Sequence, residues 1–240
     1  MSGLRRARAW LRGRAAYGGK LDDPDAPAFW RAYAKQVAEP IDADALVAET
    51  PFVILDTETT GLDLASDRIV SCACVRVLGP EIEVSAVVDW RVKASRPSSS
   101  ASIEVHGLLN TELTEGLSEA AFLQRLTEYI GKDILVGYRL GFDMAMINRI
   151  ARERVGGRVA NRTLDVFDLG MRVDFPVKPP FVNPEPYRLE RLCTRYGVDV
   201  LERHTALGDA YTTALLFVKL LYRLRTQGIT TLGQLLRYYP

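Results

Sequence analysis

The sequence predicts an α/β fold: a mixed sheet of three antiparallel strands followed by parallel strands, with helices on its flanks. Three patterns carry that prediction. The apolar run Phe52-Val53-Ile54-Leu55 ends abruptly in acids, as a buried strand does where it leaves a core. Two more strand-like stretches follow, joined by the turn pair Gly79-Pro80. Beyond residue 118, segments of helical spacing alternate with short apolar runs, and strands in that alternation run parallel through crossover helices.

The elements are justified in chain order. Residues 1–50 read as a basic, helical extension: a basic segment, a Gly-Gly and Asp-Asp-Pro-Asp-Ala-Pro break, then Phe29-Trp30-Arg31-Ala32-Tyr33, with two short helices expected. The body, 51–225, opens with the strand at Phe52. Strands from Arg68 to Val77 and from Glu81 to Trp90 follow, the latter alternating polar and apolar residues. After a Ser-rich loop at 98–102, Phe122, Leu126, Tyr129 and Ile130 predict a helix over Glu119 to Ile130, capped by Ser118. A strand from Ile134 to Tyr138 and a helix from Phe142 to Arg154 come next, the helix ended by Gly156-Gly157. Leu164 to Val173 reads as helical. Four prolines between Pro179 and Pro186 make Phe175 to Pro186 an irregular loop. Helices from Arg188 to Tyr196 and from Ala206 to Arg225 close the body, leaving 226–240 as a short tail.

Composition narrows the class. At 240 residues, 48% hydrophobic and 25% charged, the chain is globular. Its formal charge of +1 excludes a histone-like polycation. That charge is unevenly placed: the first 20 residues hold Arg5, Arg6, Arg8, Arg12, Arg14 and Lys20 and no acid, a local +6 that leaves −5 on the remainder. The arm suits a partner contact, a salt-dependent phosphate contact or a solvated extension, and its acid-free character overlaps with organelle transit peptides. Cys72, Cys74 and Cys193 are too few for a disulfide framework, so a reducing, cytoplasmic setting is expected, with Cys72 and Cys74 buried on one strand face. No apolar stretch approaches the ~20 residues of a membrane span, and no membrane partner is expected.

Three sets of residues carry chemistry. Asp56 and Glu58 stand two apart at the end of the first strand, so their carboxylates leave it on one face, where repulsion is costly unless a cation lies between them. A solvated strand terminus is the plainer reading of an isolated Asp-x-Glu. Asp143 begins a helix after a later strand, at the carboxyl edge where open α/β sheets gather ligands; a helix-start charge explains it equally simply. His204 and Asp209 converge only if His204 lies on a loop and Asp209 in the first helical turn. The histidine then fits a general base titrating near neutrality, against the plainer capping role.

Taken together, these acids resemble the three motifs of the DnaQ-like, DEDDh group of 3′-to-5′ exonucleases. Asp56-Thr57-Glu58-Thr59-Thr60-Gly61-Leu62 is similar to the first motif, Phe142-Asp143 to the second, and His204-Thr205-Ala206-Leu207-Gly208-Asp209-Ala210 to the third. The resemblance runs from about Phe52 to Leu224 and includes Val105-His106-Gly107; for His106 a structural hydrogen bond is the simpler role. It implies a ribonuclease H-like sheet and two divalent cations, Mg2+ or Mn2+, about 4 Å apart. Asp56, Glu58, Asp143 and Asp209 are the implied ligands, with Asp56 bridging, and His204 the implied base. Thr59 and Leu62 are implied contacts to the terminal sugar and base.

One departure stands out. Where the family commonly has His-Asn before the second-motif aspartate, this chain has Tyr138-Arg139, suited to stacking on a base and pairing with a phosphate, or simply to a strand-end Tyr and a solvated Arg. Asp165 and Asp168 read as helix-surface acids. The resemblance implies hydrolysis of single-stranded DNA 3′ ends to nucleoside 5′-monophosphates, as in the epsilon proofreading subunit of DNA polymerase III, with a DNA polymerase as a conceivable partner. RNA or oligonucleotide trimming is the alternative within enzymes, and a non-catalytic nucleic-acid or polymerase-binding module the alternative outside them.

Overall fold

A computed structural model describes residues 23–94, 115–177 and 179–237. The basic arm, the Ser-rich loop and Val105-His106-Gly107 lie outside the described residues. The strands are β1 (Pro51–Thr59), β2 (Ile69–Leu78), β3 (Glu81–Ile82), β4 (Val88–Arg91), β5 (Ile134–Gly137) and β6 (Thr163–Asp165). They form one sheet in the order β3-β2-β1-β5-β6, with β4 also paired to β2. β1 and β2 are antiparallel, whereas β1–β5 and β5–β6 are parallel. This is the mixed sheet the sequence predicts.

Helices cover both faces. On one face lie α1 (Ala28–Ala38), α2 (Glu119–Ile130) and α3 (Gly141–Val155); on the other lie α4 (Val166–Asp174), α5 (Leu189–Tyr196), α6 (Ala206–Thr226) and α7 (Leu232–Leu236). Strand pleating divides β1 between them: Phe52 and Ile54 enter the core beneath α6, and Val53 and Leu55 enter the core beneath α1 to α3. Cys72 and Cys74 are buried together on the latter face and are unbridged. Ser118 caps α2 as expected, its hydroxyl accepting the Ala121 amide. None of the described helices is long and apolar enough to cross a membrane.

The two chain ends of the described region pack into these cores. Trp30 and Tyr33 of α1 are fully buried, and the Tyr33 hydroxyl donates to Asn161 Oδ1 (2.6 Å) while accepting the Ala160 amide (2.8 Å). The segment expected as a tail forms α7, started by a capping box between Thr231 and Gln234, and buries Leu232 and Leu235.

Two element predictions need correction. The stretch from Glu81 to Trp90 is not one strand: a 3-10 turn at Val84–Ala86 separates β3 from β4. Unbroken alternation would place Ile82 and Val88 on one face, yet Ile82 packs into the α6-side core and Val88 and Trp90 into the other. The turn supplies the change of parity. Likewise, Leu164 to Val173 is not uniformly helical, because Thr163–Asp165 pairs in parallel with β5 before α4 begins. Asp165 is therefore no surface acid. Its carboxylate caps α4 through the Phe167 amide (2.9 Å) and also accepts the amides of Arg139 and Leu140 (both 3.1 Å).

Candidate active site

The parity of β1 places the site. Asp56 and Glu58 continue the face of Phe52 and Ile54, which is the face covered by α6. Asp209 lies in the first turn of α6 on the stripe that continues through Thr213, Leu216, Leu220 and Leu224, all buried toward the sheet. It therefore meets the two strand acids: Asp56, Glu58 and Asp209 each offer a carboxylate oxygen within 4.8 Å of the others.

Asp143 approaches from the opposite layer. β5 pairs with β1 only as far as Ile54 and Val136, so β1 runs beyond its neighbour. Past that point Asp143 Oδ1 accepts both the Thr57 amide (3.0 Å) and the Thr57 hydroxyl (2.6 Å). Thr57 thus fixes the second-motif acid beside the first motif, a role the sequence reading did not assign to it. Asp143 is close enough that its charge is the largest electrostatic influence on Asp56 after burial.

The third motif meets its geometric condition. His204 lies exposed on the loop before α6, in a left-handed backbone conformation (φ +63°), and its amide donates to Asp209 Oδ2 at 3.3 Å. Gly208 lets that loop close on the helix, for a Cβ there would stand 2.4 Å from the Glu202 carbonyl oxygen. A further residue joins the site: Arg203 donates through Nη1 to Asp209 Oδ2 and through Nη2 to Glu190 Oε1, both at 2.5 Å. Only its position next to His204 could have marked it in the sequence.

The electrostatics describe a strained set of acids. Burial, then the charges of Asp143, Asp209 and Glu58, hold the Asp56 carboxyl well above the usual range. Burial, then Asp209 and Asp143, push Glu58 up to about 7, and burial raises Asp143 to about 7 against its bonds from Thr57. Asp209, 7% exposed, buries its Oδ1 with no hydrogen-bond partner. An orphaned buried oxygen among close carboxylates, with oxygen donors alone, is the arrangement a hard divalent cation satisfies.

Of the four residues expected as substrate contacts, Thr59, Tyr138 and Arg139 are held by local interactions. The Thr59 hydroxyl donates to the Gly61 carbonyl (2.7 Å), and Leu62 projects into solvent, 84% exposed. A Cβ on Gly61 would meet the Asp67 carboxylate at 2.5 Å, and Asp67 in turn accepts the Thr60 hydroxyl, so this turn is held closely. Tyr138 donates its hydroxyl to the Tyr187 carbonyl (3.2 Å). Arg139, in a left-handed conformation (φ +56°), lays its guanidinium over the Phe167 ring at 3.5 Å.

Comparison with known proteins bears on this geometry. The chain is similar to the DNA polymerase III subunit epsilon-like protein of Rhodobacter capsulatus, 33% identical over 201 residues that make up 80% of this chain and 27% of that protein. It is 31% identical over 190 residues to the PolC-type DNA polymerase III of Bacillus subtilis, covering 78% of this chain and 12% of that one. In fold it resembles E. coli exonuclease I, crystallised in complex with a dT13 oligonucleotide, with a TM-score of 0.62 at 21% identity over 75% of this chain and 43% of that one. The chain thus spans well under two thirds of each of these proteins. The exonuclease family model named for RNase T matches residues 53–217, from the strand of Asp56 and Glu58 to the helix of Asp209. The chain belongs to that exonuclease family, the one its three acid motifs resemble.

Proposed function

We propose that the chain is a divalent-metal-dependent 3′-to-5′ exonuclease that removes nucleoside 5′-monophosphates from single-stranded DNA ends. One observation carries the reading: the buried, partnerless Asp209 Oδ1 in a set of three carboxylates whose oxygens lie within 4.8 Å of one another. Asp56, Glu58 and Asp209 would hold Mg2+ or Mn2+, with Asp143 completing the set from its seat on Thr57. Bound there, the cations supply charge neutralisation and lower the pKa of water. The protein's own part is orientation and proton transfer. His204, exposed on its loop beside the cluster, takes the proton of the attacking water, while Thr59, Leu62, Tyr138 and Arg139 line the approach to the terminal nucleotide.

The epsilon-like and PolC-type relatives support DNA as substrate and a DNA polymerase as partner. The buried, unbridged cysteines agree with a reducing, cytoplasmic setting. With Mg2+ or Mn2+, the purified protein is expected to shorten a 5′-labelled DNA single strand one nucleotide at a time, faster than the matched RNA strand. DNA left intact overturns the reading, and a faster RNA rate overturns its substrate assignment. His204→Ala is expected to lower kcat about a hundredfold or more. An unchanged rate would take His204 out of the base role.

A further inference from the structure

Arg203 introduces a cation where the carboxylates already crowd. Its two terminal nitrogens are divided between two acids, Nη1 on Asp209 Oδ2 and Nη2 on Glu190 Oε1. That division matters, because a guanidinium gives its strongest binding when both arms grip one carboxylate. Here Asp209 receives a single arm, and Glu190, on α5 and outside the acid cluster, keeps the other. The two oxygens of Asp209 are thereby separated in role: Oδ2 accepts from Arg203 and from the His204 amide, and Oδ1 is left buried and bare. The positive charge of Arg203 also counteracts the mutual repulsion that raises Asp56 and Glu58.

We propose that Arg203 is a resident cation that competes with divalent metal for the carboxylate cluster, steadying the site without metal and lowering its metal affinity. The proposal rests on the reading of Asp56, Glu58 and Asp209 as metal ligands. The physics is like-charge antagonism: a guanidinium hydrogen-bonded to one ligand oxygen repels a cation arriving at the other, and a binding partner shared by two cations couples them negatively. The tether to Glu190 keeps the arginine at the site when its hold on Asp209 loosens. Arg203 is accordingly a positioning residue, acting through Asp209.

The test is Mn2+ binding to the full chain, read by electron paramagnetic resonance with no nucleic acid present. Arg203→Met and Arg203→Gln, both neutral, are expected to bind Mn2+ on the order of tenfold more tightly than the wild type. Arg203→Lys, which keeps the charge, should stay within about threefold of it. In parallel, exchanging EDTA for Mn2+ should raise the melting midpoint more in the neutral variants than in the wild type, read in whichever neutral variant folds without metal. Wild-type Mn2+ binding with equal or weaker affinity in both neutral variants, or equal midpoint gains, overturns the proposal and leaves the metal site intact. A wild-type chain that binds no Mn2+ overturns the metal reading and the proposal with it.

Discussion

Replacing Asp56 by asparagine is expected to abolish turnover and, in the same variant, to raise the melting temperature of the metal-free protein. The two effects have one origin. Asp56 is crowded by Asp143, Asp209 and Glu58, and burial and those charges together disfavour its ionised form. An amide of the same shape takes away a group whose ionised form the cluster disfavours. The gain should be roughly 2–8 °C, what a domain of this size shows for one to a few kcal/mol. The same substitution would remove one of the acids proposed to hold the cations, so kcat on a 5′-labelled strand should fall by about three orders of magnitude or more. Melting in EDTA and single-turnover cleavage measure the two halves. Near wild-type cleavage would reject Asp56 as a ligand, and an unchanged or lower midpoint would reject the account of its crowding.

Without metal, the protein should lose stability as pH rises from about 5 to 8, and divalent cation should reverse the loss. Glu58 and Asp143 are both pushed up to about 7 in the folded chain, from ordinary values of 4.5 and 3.8, and Asp56 is raised as well. For an acid raised by folding, the native state holds the proton more firmly than the unfolded chain. Its contribution is complete below the unfolded value, near 4, and disappears as pH climbs through the folded one. In EDTA the midpoint at pH 8 should therefore lie below that at pH 6 by roughly 5 °C. Added Mg2+ or Mn2+ should restore more at pH 8 than at pH 6, because the cation takes over the neutralising role of the departed protons. Midpoints that do not change with pH in EDTA would show that the cluster carries no such strain.

The contrast between what the sequence revealed and what it concealed follows the range of the interactions involved. Asp56 and Glu58 were legible because strand pleating acts over two residues, and His204 with Asp209 because a helix start acts over five. The passage from antiparallel to parallel strands was legible for a similar reason, since apolar runs and helical spacing are local. Contacts between distant segments were not. Nothing near Thr57 announces that it holds Asp143, 86 positions away. Asp165 looked like a surface acid because the strand before α4 is three residues long, too short for periodicity to register. The split between β3 and β4 was hidden by an alternation from Ile82 to Trp90 that only Val87 interrupts; Val87 packs with Ile82 into the α6-side core, and Val88 and Trp90 into the other.

That split has a consequence at the margin of the sheet. A sheet edge exposes unpaired amides and carbonyls along its length, and a long, straight one can recruit a strand from another molecule. Here the flank beyond β2 is divided into strands of two and four residues set apart by a turn, and the opposite flank is a strand of three. Neither offers a ladder long enough to template self-association. Among the described residues, both borders of the sheet are thus too short to polymerise.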